Sequence, residues 1–202
     1  MNFITDFIGE LQGVQGRSNL CNPYHLPNRS ENLQIYLETL FAQPGRRILF
    51  VGEALGYRGG LHTGIPFSSA RLVRQSPHAF WRRLRNRLVV HSNISEATAS
   101  IVWDYLGPRR RIPLFWNALP FHPHDTGEPL SNRAPSAAEI DLGQRYLRLL
   151  ADAWQPEIVA GVGNKGSLAA RRALPEYKVQ DLRHPSYGGK QAFCSGMDRL
   201  LG

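Results

Sequence analysis

Cysteine is scarce in this chain: its 202 residues hold two, Cys21 and Cys194. Two thiols are too few for a disulfide framework and too few for a four-thiolate zinc or iron–sulfur site. No apolar run approaches the roughly 18 residues that read as a membrane span. The amino-terminal Met1-Asn2-Phe3-Ile4-Thr5-Asp6 lacks the basic flank and apolar core of a signal peptide. A reducing cytoplasm is therefore the expected location. No internal repeat, linker or low-complexity tract interrupts the chain, so residues 1–202 read as a single domain, long enough to bury a real core. Acid is in deficit: 16 Asp and Glu face 24 Lys and Arg, mostly arginine, for a net charge of +8. Such an excess favours a polyanionic partner, because neutralising phosphates releases counterions. It is equally compatible with a soluble basic surface.

What is present alternates. Phe3, Phe7, Ile8 and Leu11 mark one face of a first helix, and Leu33, Tyr36, Leu37 and Leu40 mark a second, with Ser30 as its expected cap. The apolar run Ile48–Val51 reads as a buried strand that opens into the glycine-rich loop 52–60. Helices are expected over 77–90 and from Ser95-Glu96-Ala97 onward. A second strand is expected over 112–117. Ser136 and Glu139 form a capping box for a long helix. A third strand over 157–162, a helix, a fourth strand over 178–182 and a last helix complete the pattern. Alternation of this kind predicts an α/β fold, a three-layer αβα arrangement around a central parallel four-stranded sheet. Parallel strands bring their carboxyl-end loops to one edge, where such sheets hold ligands.

Three of those loops carry polar groups: Glu53 after the first strand, Asn117 at the end of the second, His184 after the fourth. A carboxamide presents an acceptor beside a donor, matching the N3–H and O4 edge of a uracil-like base. A histidine can donate to negative charge developing on a carbonyl oxygen. A carboxylate can hold a water and favour a cationic sugar. Phe67, after Pro66, can stack on a base, and glycines allow close backbone approach. Each residue also has a structural role open to it: Glu53 as a loop cap, Phe67 as core, Asn117 bonded to its own backbone, His184 packed in a turn. Gly161-Val162-Gly163-Asn164-Lys165-Gly166 matches the dinucleotide-binding glycine pattern, with Asp181 beyond it. It lies too near the end of the chain for a dinucleotide fold and reads as a tight strand–helix turn, with Lys165 near phosphate. His122-Pro123-His124-Asp125 makes a poor metal set and reads as a DNA-facing loop.

Gly52-Glu53-Ala54-Leu55-Gly56 followed by Gly64-Ile65-Pro66-Phe67 resembles the GEAPG…GxPF signature of the uracil-DNA glycosylase superfamily, in its bacterial and archaeal branch. Asn117 with Asn132-Arg133-Ala134-Pro135 resembles that branch's Asn…NRxP region, and Arg183-His184-Pro185-Ser186 resembles the HPS motif. The resemblance implies hydrolysis of the N-glycosidic bond of deoxyuridine in single- or double-stranded DNA by a monomeric enzyme of the bacterial cytoplasm. It implies catalytic roles for Glu53 and His184 and a base pocket of Gly52, Ala54, Tyr57, Phe67 and Asn117. DNA contacts would come from Lys165, Ser186, Tyr187 and Lys190. No metal or cofactor is called for. The chain departs from the family pattern at four points. It has two cysteines where the branch places four on an iron–sulfur cluster. Leu55 stands where Pro is common, and Ala54 where the best-known branch has a catalytic Asp. Gly56 stands where a Tyr excludes the methyl group of thymine. Two further readings follow from these departures: a glycosylase for mismatched thymine, hypoxanthine or xanthine, and a DNA-binding, damage-sensing module without turnover.

Overall fold

The computed structural model describes residues 2–107, 109–186 and 188–201. In chain order its elements are α1 (Phe3–Gln12), β1 (Leu20–Cys21), α2 (Pro27–Phe41), β2 (Ile48–Ala54), α3 (Gly60–Thr63), α4 (Ala70–Gln75), α5 (Ala79–Leu84) and α6 (Ala97–Leu106). There follow β3 (Leu114–Leu119), β4 (His122–Pro123), α7 (Ala137–Trp154), β5 (Ile158–Val162), α8 (Gly163–Ala173), β6 (Gln180–Leu182) and α9 (Lys190–Leu201). Contacts group them into two compact units, and the chain passes from one to the other several times. Among the described residues no helix is long and apolar enough to cross a membrane.

The sheet unit comprises Pro44–Ala54, Pro113–Pro120 and the chain from Pro135 onward. Its four strands are all parallel, in the order β3-β2-β5-β6, the α/β arrangement expected from the alternation. Ile48–Val51 and all six residues of β3 are buried, as continuous apolar runs are in parallel strands covered on both faces. α7 packs on β3, α8 on β2 and β5, and α9 on β6. Glycines set the closest approaches. A Cβ on Gly143 of α7 would overlap the Ala118 carbonyl of β3, and one on Gly166 of α8 would overlap the Val51 carbonyl of β2.

The helical unit comprises the chain up to Gln43, Leu55–Ile112 and Phe121–Ala134. α1 packs on α2, α4 on α5, and β1 pairs antiparallel with β4. His122 and Pro123, read as loop, form one side of that short ladder. Four further expectations are corrected here. Ser30 lies inside α2, which starts from Leu26 with Pro27 in its first turn, where the missing N–H of proline is harmless. The glycine-rich loop read over 52–60 gives way at Gly60 to the short helix α3, which ends on Gly64 at φ +76°, and α4 follows, capped by Ser69. The helix expected over 77–90 is shorter, because Arg85 turns back to donate to the Val73 and Ser76 carbonyls. Beyond it the buried carboxamide of Asn32 takes both the N–H and the C=O of Val89, at 2.8 and 2.9 Å. Finally, His122 and His124 are buried rather than facing outward. Among the described residues no cluster of His, Cys, Asp and Glu could hold a metal ion.

Candidate active site

In the sheet unit the parallel ladder does what the alternation predicts. Gly52 of β2 is the register partner of Asn117 of β3, and Val162 of β5 of Leu182 of β6. Glu53, Asn117, the start of α8 and the loop after β6 thus all leave the sheet at its carboxyl edge. Asn117 is only 3% exposed, and no hydrogen bond among the described residues uses its carboxamide. Its carboxamide atoms are not among the described buried polar atoms left without a partner, so they keep access to solvent at that edge. Ala54 follows Glu53 and is half-buried.

Glu53 is half-exposed and pairs with Lys165, Oε1 to Nζ at 2.8 Å. Lys165 reaches it from the first turn of α8, so the lysine read as a phosphate contact stands beside the carboxylate read as catalytic. The glycine pattern around it is explained by packing. Gly161 cannot carry a Cβ because the backbone of Ser167 fills the space, Gly166 abuts Val51, and Gly163 sits at φ +73°. This is the tight strand–helix turn expected. Asp181 pairs with Arg171 of α8 at 2.6 Å and is held below the usual carboxylate range by the Ser167 hydroxyl and that guanidinium.

Gly163 also makes room for His184, whose Cβ would lie 3.2 Å from a side chain there. The Ser186 backbone N–H donates to His184 Nδ1 at 3.2 Å. With Nδ1 occupied as an acceptor, a neutral ring carries its proton on Nε2 and presents it as a donor. Burial holds the pKa of His184 below the ordinary value, Arg183 adds to this, and Glu53 opposes it. The ring is therefore neutral at physiological pH. Ser186 contributes its backbone to this arrangement. Lys190 opens α9 and is exposed. Tyr187 lies outside the described residues.

The helical unit holds Tyr57 and Phe67. Phe67 sits at φ +51°, a left-handed conformation that costs a non-glycine residue about 1–2 kcal/mol. A hydroxyl network enforces the turn before it. Thr63 Oγ1 and Ser68 Oγ lie 2.7 Å apart, Ser68 donates to the Ile65 carbonyl, and the Ile65 N–H donates to Thr63. The Trp103 indole then donates to the Phe67 carbonyl at 2.8 Å. Tyr57 is held through its backbone N–H, which donates to Asn132 Oδ1 at 3.0 Å. His122 lies against the Leu55 carbonyl at 2.8 Å and the Pro129 carbonyl at 3.2 Å. Burial holds its pKa down despite both oxygens. Asn132, His122 and Trp103 are supports whose roles no local pattern announces, since their partners lie 75, 67 and 36 residues away.

Two cysteines, Cys21 and Cys194, both free, do not fit a four-thiolate cluster. The model of the Uracil DNA glycosylase superfamily matches residues 40–194. No curated protein matches the sequence. Among solved structures, the chain is similar to SMUG2 of Pedobacter heparinus, at 12% identity and a TM-score of 0.68, covering 100% of this chain and 97% of that one. At that identity the likeness concerns the fold.

Proposed function

The chain belongs to the uracil-DNA glycosylase superfamily, a family of DNA glycosylases, and on that footing we propose that it hydrolyses the N-glycosidic bond of deoxyuridine in DNA, releasing uracil and leaving an abasic site. The observation that carries the uracil reading is Asn117, placed at the carboxyl edge of the sheet beside Gly52 with no hydrogen bond from its carboxamide to another described residue. A flipped uracil would supply it with an N3–H to accept and an O4 to donate to. Extruding the base costs a few kcal/mol, least where it is mismatched.

The roles then follow from the local chemistry. As the C1′–N1 bond breaks, its electron pair leaves with the base, and negative charge grows on uracil O2. His184, neutral and with its proton on Nε2, donates to that oxygen, a stabilisation that strengthens as charge develops. The sugar becomes cationic. Glu53 favours that charge and orients the attacking water, which gives its oxygen to C1′ and its proton to the carboxylate. Gly52 and Ala54 give the base close backbone approach, and in the helical unit Phe67 offers a face to stack on a base and Tyr57 a second ring for substrate. Lys165, Ser186, Tyr187 and Lys190 contact the DNA backbone. The whole chain acts as one monomeric catalytic domain.

Gly56 favours a second, wider reading. A Cβ there would meet only Asn132 Oδ1, at 3.8 Å, so no side chain at 56 excludes a larger base. The test is an end-labelled oligonucleotide panel carrying uracil, mismatched thymine, hypoxanthine or xanthine, treated with protein and then alkali. Scission at uracil is expected. Scission only at another base moves the substrate, and scission nowhere, with DNA still bound, leaves a damage-sensing module.

A further inference from the structure

The net charge of +8 is not spread along the chain. Residues 55–95 contain seven arginines and no Asp, Glu or Lys, and the other 17 basic residues nearly balance all 16 acids. The whole acid-free stretch belongs to the helical unit. Its arginines divide by use. Arg85 spends its guanidinium on the Val73 and Ser76 carbonyls, fastening α5 to α4. Arg87 makes a loose exposed pair with Glu38 at 4.0 Å. Arg58 lies over the Tyr57 ring, 5.8 Å from its centroid. Arg71 and Arg74 on α4, and Arg82 and Arg83 on α5, are exposed, and none of them has a carboxylate partner among the described residues.

These four stand on a rigid base. Val73, Phe80, Trp81 and Leu84 are buried beneath them. Phe80 stacks on Trp103 at 5.5 Å and Trp81 lies 4.6 Å from it, and the same Trp103 holds the Phe67 carbonyl. Arg71 also lines a cleft of about 400 Å³, half polar and half apolar, with Ser69, Gln75, Ser76, Ser100 and Asp104. Asp104 is the one acid of that cleft; Ser100 already donates to the Glu96 carbonyl and Gln75 to Asn93, so the guanidinium of Arg71 is its main donor to phosphate oxygens. Four guanidiniums on two packed helices, none ion-paired among the described residues, suit a phosphate backbone, which arginine binds bidentately.

We infer that the α4–α5 surface is a DNA-backbone contact, separate from the base-reading residues, that holds DNA whether or not a lesion is present. It rests on the reading of this chain as a DNA glycosylase only in the choice of DNA as the polyanion. Binding of a lesion-free fluorescent duplex would be followed by anisotropy at several salt concentrations. The variants would be Arg71→Gln/Arg74→Gln, Arg82→Gln/Arg83→Gln and all four together. Gln keeps helix propensity and the sites are exposed, so the fold should persist. Each lost phosphate contact lowers the slope of log K against log salt by about 0.9. The quadruple variant should lose roughly 2–4 in slope and at least about tenfold in affinity near 0.1 M salt. The corresponding Arg→Lys variants should restore most of the slope. Arg171→Gln/Arg172→Gln removes two charges already paired with Asp181 and Asp141, and should change it little. Wild-type slope in the quadruple variant, or an equal loss in the Arg171/Arg172 control, would overturn the inference. A protein that binds through this face but releases no base removes the glycosylase reading and leaves the inference standing. One that releases uracil while the quadruple variant binds normally does the reverse.

Discussion

Phe67 shows how much a single residue can be made to bear. Its left-handed backbone is held by the hydroxyls of Thr63 before it and Ser68 after it and the Trp103 indole on its carbonyl. Strain kept in place by so many neighbours points to a use for the ring. Phe67→Ala and Phe67→Gly remove the same ring, yet glycine alone adopts this φ freely. The Gly variant should be more stable than the Ala variant by about 1 kcal/mol in denaturant unfolding. Equal stability, or a more stable Ala variant, would mean that the turn relaxes. Lys165 offers a contrasting case. Its pair with Glu53 is exposed, with side-chain exposures of 58% and 37%, so Lys165→Ala should change unfolding free energy by no more than about 1 kcal/mol. A larger loss would make the pair structural. The places of Glu53 and Asn117 at the carboxyl ends of β2 and β3, and of His184 beyond β6, were legible in the sequence because short apolar runs mark those strands. The contacts that hold Tyr57 and Phe67 were not, because Asn132, noted only as part of its motif, and Trp103 act across long sequence separations.

Among the elements, α8 is the most constrained, since it positions Lys165 and borders His184 while lying against β2. Gly166→Ala sets a methyl group against the Val51 carbonyl, which cannot move without breaking the ladder. The cost should be about 1–3 kcal/mol or more in chemical denaturation, and a variant as stable as wild type would show that α8 can lift off the sheet. The four parallel strands and α7 were legible because their signals are local: apolar runs, and a capping box at Ser136 and Glu139. The shorter helices were not. α3 is a single turn stopped by Gly64, whose Cβ would overlap the Arg29 carbonyl, and the expected helix over 77–90 gives way where Asn32 captures Val89. Both outcomes are decided by contacts from α2, which local periodicity does not encode.

At the scale of the whole molecule, burial of histidine sets the response to acid. His62, His78, His122 and His184 each have a pKa held below the ordinary 6.5, burial being the largest cause in every case. Below pH 6.5 the unfolded chain gains protons that the native state resists. The stability these groups contribute is therefore full above 6.5 and is lost as pH falls through their depressed values. Glu96, raised by burial, works in the opposite sense, one group against four. The thermal midpoint should fall as pH is lowered from 7.5 to 5, and a midpoint that holds or rises would contradict neutral buried histidines. The most direct measurement of function is the single-turnover rate of uracil release from a uracil-containing oligonucleotide at saturating protein, for wild type, Asn117→Ala and His184→Ala. Release by wild type, with each variant slowed on the order of 10²–10³-fold while still folded, is the predicted result. No release by wild type, or variants as fast as wild type, would contradict it.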